Sequence, residues 1–317
     1  MKKLIRAGFC LVLLLIVLLV LVALQHVLEK KQPDKKDSTE TVTESMDGRA
    51  DDATEAVLET ETETETETET EVAQSGVVTL HNAMIENVEG LDNTSQGWGM
   101  GPTRDEFNRP VDALNYEEKF APYSVDFIKN TEEKVVYLTF DEGYEYGMTP
   151  QILDTLKEKN AKAVFFVTKP YAEADPDLVQ RMIDEGHTVG NHSNKHITYP
   201  SLSLEEAKED LMSLHQYMLD TYQYKMSVFR FPEGNFSEQT LALVQSCGYK
   251  SLFWSFAYQD WYTDNQPNPS DALNSMLNKA HPGAIYLLHA VSSTNAQVLG
   301  DFIDGMQEKG YVFADFE

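Results

Sequence analysis

From residue 135 onward, short apolar runs rich in β-branched and aromatic residues alternate with segments of helical pattern, and this alternation constrains the fold more than any other feature. Strands that alternate with helices favour a parallel sheet. Seven such runs predict an α/β fold with a closed or nearly closed barrel, whose active site lies at the carboxyl ends of the strands. The runs are 135–140, 163–167, 187–191, 227–231, 250–255, 284–289 and 311–316.

The helical segments carry their own boundary signals. Proline follows Thr149 and Asp175, as expected where a helix begins. Ser203 and Glu206 have the spacing of a capping box ahead of a long apolar pattern. These signals place helices between the runs and support an arrangement in which strands alternate with helices.

The N-terminus has the pattern of a membrane segment. Lys2, Lys3 and Arg6 precede an uncharged apolar run, residues 7–24, which as a helix would be roughly 27 Å long, about the thickness of a bilayer core. A cleaved signal peptide is the alternative, but the run is long for one and no clear cleavage motif follows. We expect residues 1–28 to form an uncleaved, single-pass anchor in the cell membrane, with the catalytic part outside the cytoplasm.

The segment between the anchor and the barrel divides into two parts. Residues 29–75 contain the Glu-Thr repeat 59–71 and almost no large apolar groups, so we predict a disordered acidic linker that would span roughly 40 Å. Residues 76–132 are expected to form an irregular extension that packs on the catalytic domain, residues 133–317. The formal charge of −27 argues against a nucleic-acid partner.

Polar side chains occur where the predicted strands end. If the strands are parallel, these groups meet on one rim of the barrel, whatever family the chain belongs to. They are Asp141 and Glu142 after the first run, His192 and His196 after the third, Arg230 in the fourth, Asp260 and Trp261 after the fifth, and His289 at the end of the sixth.

This set suggests hydrolysis assisted by a metal ion. His192 and His196 are four residues apart, so on a helical turn both rings would share a face and could bind zinc or a similar divalent ion. Asp141 could then act as a base held ionised by Arg230, and His289 as a proton donor. Surface histidines and a solvated acidic turn are the alternative interpretation, because neither feature is specific on its own.

Five motifs occur in the order typical of one family, and the chain resembles the polysaccharide deacetylases, carbohydrate esterase family 4, over residues 95–317. Their fold is a distorted (β/α)7 barrel, and the resemblance implies a divalent cofactor, with Zn²⁺ the first candidate. The motifs are TFDEG at 139–143, HSNKH at 192–196, RFPEG at 230–234, QDW at 259–261 and LLH at 287–289.

The resemblance implies a role for each matched residue. The catalytic group consists of a general base, an arginine that orients it, a general acid and an aspartate that tunes the acid: Asp141, Arg230, His289 and Asp260. The metal ligands would be His192, His196 and Glu142. The substrate would contact Trp261 and Leu287, which wall an acetyl pocket, and Glu233 and Gly234, whose loop offers backbone N–H groups to an oxyanion.

Three positions depart from the family pattern, namely Glu142 in place of a metal-binding Asp, Phe231 in place of Pro, and Ala257 in place of Asp. The extra methylene of Glu142 leaves open whether it binds the metal directly or through water. Within the family the chain is most similar to peptidoglycan N-acetylmuramic acid deacetylases of the spore cortex, on the segments 97–99, 137–145, 253–261 and 281–292. We therefore expect deacetylation of N-acetylmuramic acid in peptidoglycan. The alternatives are a deacetylase of N-acetylglucosamine in peptidoglycan or chitin-like chains, and a wall-binding protein without catalysis.

Overall fold

The computed structural model describes residues 87–316. The predicted anchor (1–28), the predicted linker (29–75) and the first residues of the predicted extension lie outside this range. None of the helices within 87–316 combines the length and apolar character that crossing a bilayer requires.

The strands follow the runs identified in the sequence, with two short additions before the barrel and one between the fourth and fifth runs. In chain order they are β1 (Gln96–Gly97), β2 (Val125–Asp126), β3 (Val135–Glu142), β4 (Ala163–Val167), β5 (Thr188–Asn191), β6 (Val228–Phe229), β7 (Asn235–Phe236), β8 (Lys250–Leu252), β9 (Ala284–His289) and β10 (Val312–Phe313).

Helices connect most of these strands and cover the outside of the sheet. Ser203 caps its helix through the predicted capping box with Glu206. The helices are α1 (Val111–Lys119), α2 (Thr149–Glu158), α3 (Lys169–Ala174), α4 (Pro176–Asp184), α5 (Leu204–Tyr222), α6 (Glu238–Ser246), α7 (Pro269–Asn278) and α8 (Ser293–Glu308).

The main sheet is parallel and curls into a barrel, which confirms the predicted fold class. Its strands run in the order β10, β3, β4, β5, β6, β8, β2, while β9 pairs with β3 along Val136–Asp141. Phe256, four residues beyond β8, forms a parallel bridge to Tyr286 of β9. The curled sheet is therefore closed by irregular pairing after β8, and the carboxyl ends of the strands share one rim.

The segment before the barrel is more ordered than the sequence suggested. Residues 87–132 include helix α1, and β2 joins the main sheet by pairing Val125 with Ser251 of β8. The reason is aromatic packing: Phe127 stacks on Phe253 with ring centroids 4.4 Å apart, and Trp98 lies 4.7 Å from Phe127. Within 87–132 the extension thus packs against the barrel, because these rings bury apolar surface that the barrel would otherwise expose.

Side chains inside the barrel decide where its charged groups lie. Val164, Phe166, Val228, Leu252 and Ile285 form a buried apolar cluster. The guanidinium of Arg230 stacks on the upper side of this cluster, 4.1 Å from the centroid of the Phe166 ring. The interior of the barrel is therefore apolar at this cluster, and the buried cation Arg230 packs directly against it.

Candidate active site

A cavity of 770 Å³ opens at the carboxyl ends of the strands. This volume is within the ~300–1,000 Å³ that is usual for small-molecule sites. Eight of the predicted site residues line it: Asp141, His192, His196, Glu233, Gly234, Trp261, Leu287 and His289. Sequence reasoning assigned no role to the other lining residues, although the quoted motifs and segments include all of them except Thr168 and Pro170: Gly143, Tyr144, Thr168, Pro170, Asn194, Lys195, Trp254 and Val291.

Asp141 and Arg230 form a buried ion pair below the cavity. Arg230 Nη1 donates to Asp141 Oδ1 at 2.8 Å and to Thr139 Oγ1 at 2.7 Å. Its Nε and Nη2 groups donate to the backbone carbonyls of Leu252 and Phe253, each at 3.0 Å. The guanidinium is completely buried and held by four hydrogen bonds, so it fixes the position of the Asp141 carboxylate.

The same contacts keep Asp141 ionised. Burial by itself raises the pKa of this carboxyl, but the charge of Arg230, with smaller contributions from His289 and from the hydrogen bond that Arg230 donates, outweighs burial and holds the pKa below its usual range. A carboxylate that stays ionised beside a cavity can accept a proton there.

The two histidines of the HSNKH segment meet as predicted, but not on a helical turn. Their rings lie 4.8 Å apart, centroid to centroid. The segment is an irregular loop in which Ser193 (φ 76°) and His196 (φ 53°) adopt the left-handed conformation. The i, i+4 argument was therefore wrong about the local structure, because two left-handed residues, not helical periodicity, turn both rings to the cavity.

His192 has the protonation state that a metal ligand needs. Its Nδ1 lies 2.9 Å from the backbone carbonyl oxygen of Arg230 and donates to it, which leaves Nε2 with a free lone pair, 3.6 Å from Asp141 Oδ2. Burial lowers the pKa of His192 to about 4, so the ring is neutral at neutral pH. A neutral imidazole with a free ring nitrogen is a suitable ligand for a divalent ion.

Glu142 does not share this arrangement. It is the last residue of β3 and follows Asp141, so its side chain points to the opposite face of the sheet. Its Oε1 accepts from Thr149 Oγ1 at 3.4 Å, its Oε2 is buried without a hydrogen-bond partner, and burial together with Glu145 raises its pKa. Within 87–316, no three His, Cys, Asp or Glu side chains form a complete metal site, and the ligand role of Glu142 stays a prediction.

Asp210, which sequence reasoning missed, fixes the backbone of the HSNKH loop, residues 192–196. This buried residue of α5 accepts the backbone N–H of Lys195 on Oδ1 at 3.1 Å and that of Asn194 on Oδ2 at 2.9 Å. Tyr199 also donates to Oδ2, at 3.2 Å. The spacing of 15 and 16 residues carries no local motif, so only the folded structure reveals this contact.

If this loop holds a metal ion, as the family resemblance implies, we expect Asp210→Asn to weaken the binding of added zinc by about 10- to 100-fold, the usual cost of losing a group that orients metal ligands. Asparagine has one acceptor oxygen, so at least one buried backbone N–H loses its partner and the loop relaxes. Zinc affinity measured by calorimetry tests this, with Asp220→Asn as the matched control, because Asp220 is an exposed residue of the same helix. Equal affinities for both variants would contradict the positioning role.

His289 and Asp260 form a second pair of side chains at the cavity. Asp260 is fully buried and accepts His289 Nδ1–H on Oδ1 at 2.7 Å and the His289 backbone N–H on Oδ2 at 2.9 Å. Asn295, another residue missed from the sequence, donates to Asp260 Oδ2 at 2.6 Å. These contacts fix the ring and leave Nε2 of His289 for the cavity.

The Asp260 contact also sets the acidity of His289. Burial lowers the pKa of His289, but the hydrogen bond and charge of Asp260, aided by Asp141, raise it above its usual value. The imidazolium form therefore persists to higher pH than in an ordinary histidine, as a proton donor requires.

We expect Asp260→Asn to move the alkaline limb of the pH profile of kcat towards lower pH. His289 must be protonated to donate, and without the Asp260 charge its pKa falls, so activity is lost at a lower pH. Asp264→Asn, in the same loop but exposed, is the control and should leave the limb unchanged. A shift in the opposite direction, or none, would contradict the assigned acid.

The loop after β6 closes one side of the cavity. Glu233 (φ 57°) and Gly234 (φ 66°) are both left-handed, and a Cβ atom on Gly234 would lie 2.6 Å from the Trp254 ring. Trp98 anchors this corner: its backbone N–H donates to the Gly234 carbonyl at 3.0 Å, and its Nε1 donates to the Trp254 carbonyl at 2.9 Å. Trp98 thus fixes this side of the cavity wall.

Comparison with known proteins identifies the family. A family model described as polysaccharide deacetylase matches residues 128–252. The peptidoglycan-N-acetylmuramic acid deacetylase PdaA of Bacillus subtilis is 38% identical over 232 residues, which cover 72% of this chain and 87% of that protein. The solved structure of PdaA, described as a family 4 carbohydrate esterase, matches with a TM-score of 0.68 and 36% identity over 71% of this chain and 96% of that chain.

Two further relatives show the range of the similarity. A family 4 carbohydrate esterase from Bacillus anthracis matches with a TM-score of 0.59 and 38% identity over 71% of this chain and 95% of that chain. The peptidoglycan-N-acetylglucosamine deacetylase PgdA of Listeria monocytogenes is 30% identical over 208 residues, or 65% of this chain and 43% of that protein.

The fold and the site thus define a hydrolase. The chain belongs to the polysaccharide deacetylase family, carbohydrate esterase family 4, as its five motifs predicted. Deacetylases of this family depend in general on a metal ion.

Proposed function

We propose that this chain removes the acetyl group from N-acetylmuramic acid in peptidoglycan. The observation that carries the proposal is the pairing of two opposite acid–base groups in one cavity. Asp141 has a lowered pKa and His289 a raised pKa, and both line the same space as His192 and His196. Groups whose environments drive their pKa values apart are typical of an assigned base and acid. The choice of muramic acid follows the similarity to PdaA.

Asp141 starts the reaction as the general base. A water molecule attacks the carbonyl carbon of the acetamide, and Asp141 takes up the proton that this water loses. Arg230 keeps the carboxylate ionised and correctly oriented, since it is fixed by hydrogen bonds on both sides of the guanidinium. The backbone at Glu233 and Gly234 lies beside the same cavity and is suited to hold the oxygen that becomes negative.

His289 completes the reaction as the general acid. Its Nε2 donates a proton to the sugar nitrogen as the carbon–nitrogen bond breaks, so that the products are acetate and a free amine. Asp260 holds the ring in one orientation and stabilises its protonated form. Trp261 and Leu287 line the cavity next to these groups and enclose the acetyl methyl.

The cofactor in this proposal is a divalent ion, with Zn²⁺ as the first candidate. His192 and His196 are its nitrogen ligands, and Glu142 remains a candidate that would need to turn towards the cavity. When bound, such an ion polarises the acetamide oxygen and lowers the pKa of a water molecule. The neutral state of His192 supports this assignment.

The proposed setting is the outer face of a cell membrane. An anchor at residues 1–28 and a linker at residues 29–75 would hold the catalytic domain, residues 133–317, within reach of glycan strands. The composition of both segments supports this arrangement, and a role in the spore cortex is the corresponding physiological proposal.

Mass spectrometry of digested peptidoglycan tests the substrate. The full-length protein, supplied with zinc, should convert N-acetylmuramic acid to muramic acid or its lactam, and peptidoglycan fragments with and without stem peptides show which form is accepted. Loss of acetyl groups from glucosamine alone would favour the alternative function, an N-acetylglucosamine deacetylase, which the similarity to PgdA supports. No acetate release with any divalent ion would favour a non-catalytic wall-binding protein.

A further inference from the structure

Trp261 lines the cavity from a segment without regular structure. Residues 260–268, all within the described range, form no helix or strand between β8 and α7. Trp261 is 43% exposed, and its ring contacts the rings of Tyr262 and His289 at centroid distances of 5.5 Å and 5.6 Å. Burial therefore does little to fix Trp261, so the position of its ring at the cavity depends on how its backbone is held.

One side chain holds the backbone on both sides of Trp261. Gln266 Nε2 donates to the carbonyl oxygen of Asp260 at 3.0 Å and to that of Tyr262 at 2.7 Å. These carbonyl groups belong to the residues directly before and directly after Trp261. The two hydrogen bonds therefore restrain the chain from which the indole ring projects.

The oxygen of the same amide reaches the segment after β9. Gln266 Oε1 accepts from Ser292 Oγ at 2.5 Å and from the Thr294 backbone N–H at 3.3 Å. The Ser292 backbone N–H in turn donates to the carbonyl oxygen of His289 at 3.2 Å. Gln266 thus joins the chain around Trp261 to the turn that follows His289.

These partners allow the Gln266 amide only one orientation. Backbone carbonyl groups accept hydrogen bonds but cannot donate them, and the Thr294 N–H donates but cannot accept. A reversed amide would place its oxygen against two carbonyl oxygens and its NH₂ group against an N–H. The position therefore uses both the donor and the acceptor of the amide, and neither a glutamate nor a methionine supplies both.

We infer that Gln266 is a positioning residue, which holds Trp261 at the wall of the cavity. Its effect on catalysis rests on the proposed function, because it needs Trp261 to enclose the acetyl group. Gln266 is not among the residues, all within 87–316, that line the cavity, so it acts through Trp261. Thr294 Oγ1 also donates to the Pro267 carbonyl at 2.8 Å, so the two segments stay joined when Gln266 is replaced.

Fluorine NMR of the labelled indole rings tests this role directly. The full-length protein has three tryptophans, so fluorotryptophan labelling gives three resonances, and Trp261→Phe identifies the one from Trp261. In Gln266→Met, whose side chain has a similar size but no amide, we expect this resonance to shift or broaden. The resonances of Trp98 and Trp254 should stay in place, which also shows that the variant is folded. An unchanged Trp261 resonance, or equal changes in all three, would overturn the inference.

Gln266→Glu separates the two ends of the amide. Its carboxylate can still accept from Ser292 and Thr294, but it cannot donate to the carbonyl groups beside Trp261. We therefore expect it to change the Trp261 resonance as Gln266→Met does. A resonance like that of the unmodified protein would show that Gln266 serves only the start of α8, and would overturn its role at Trp261.

The matched control is a glutamine outside the cavity. Gln180 is an exposed residue of α4, and its amide donates to Asp184 Oδ1 at 2.8 Å. Gln180→Met makes the same chemical change as Gln266→Met. It should leave all three resonances and the turnover unchanged, and an equal effect of both variants would contradict a specific role of Gln266.

A double-mutant cycle links this role to the reaction. For the full-length protein, supplied with zinc and acting on peptidoglycan, we expect Gln266→Met to lower kcat/KM about tenfold, less than the roughly 100-fold that a misplacement of about 1 Å can cost. In a Trp261→Ala background the same change should cost less than about twofold, because residues that act through one contact are not additive. Equal losses in both backgrounds would overturn action through Trp261.

The two readouts separate this inference from the proposed function. The NMR measurement needs no substrate. A changed Trp261 resonance in Gln266→Met, together with no deacetylation by the unmodified protein, would support the positioning of Trp261 and refute the proposed function. Deacetylation by the unmodified protein, together with an unchanged resonance in the variant, would refute the role of Gln266 alone.

Discussion

Replacing Asp141 with asparagine is expected to lower the turnover of the deacetylase by at least about 100-fold, because a general base contributes roughly 10²- to 10⁴-fold. The amide of asparagine can still accept the hydrogen bond from Arg230, but it cannot take a proton from water. The loss should therefore appear in kcat, with the protein still folded. Acetate release measures the loss of turnover and urea unfolding measures any loss of stability, so the two measured on the same preparation separate these effects.

The matched control for this substitution is Asp154→Asn. Asp154 also pairs with an arginine, at 2.5 Å from Arg181, but its side chain is 73% exposed and lies outside the cavity. Surface pairs of this kind contribute only about 0–1 kcal/mol to stability. Because Asp154 also lies outside the cavity, the turnover of Asp154→Asn should equal that of the unmodified protein. Near-normal deacetylation by Asp141→Asn would refute the assignment of the base.

Removing the imidazole of His289 is expected to have an effect of similar size. His289→Ala deletes the proton donor and leaves Asp260 buried without its ring partner, so turnover should fall by roughly 10²- to 10⁴-fold. Added imidazole should restore part of the activity, because it can occupy the space of the missing ring and donate in its place. Acetate release with increasing imidazole measures this recovery.

A control for His289→Ala comes from a histidine outside the cavity. His215 is half-buried and hydrogen-bonds to Tyr249, so His215→Ala tests what loss of a packed imidazole does to stability alone. It should keep its turnover and gain nothing from imidazole. Full activity of His289→Ala without imidazole would contradict the proton-donor role.

Much of the site was predictable because chemistry and topology coincide. Once the strands are parallel, Asp141, His192, Arg230 and His289 must reach one rim, and the motifs that contain them are specific. The fold class and the family followed from the same pattern. What the sequence could not supply is how the loops turn: the left-handed residues Ser193 and His196 follow no helical or strand period.

The supporting residues were hidden for a different physical reason. Asp210 lies 15 and 16 residues from the backbone groups it holds, and Asn295 lies 35 residues from Asp260, so neither contact follows a local sequence pattern. The position of Glu142, by contrast, could have been predicted from the sequence. Strand β3 continues through this residue, so strand alternation already placed its side chain away from Asp141, and treating the strand as ending at Phe140 concealed this.

Anomalous diffraction from zinc-soaked crystals tests the central claim, that one divalent ion binds between His192 and His196 beside Asp141. We expect a single strong peak about 2.0–2.1 Å from a ring nitrogen of each histidine, which is the usual zinc–imidazole distance. The same map shows whether Glu142 turns to reach the ion. Imidazoles that point apart, with no peak between them at saturating zinc, would contradict the account.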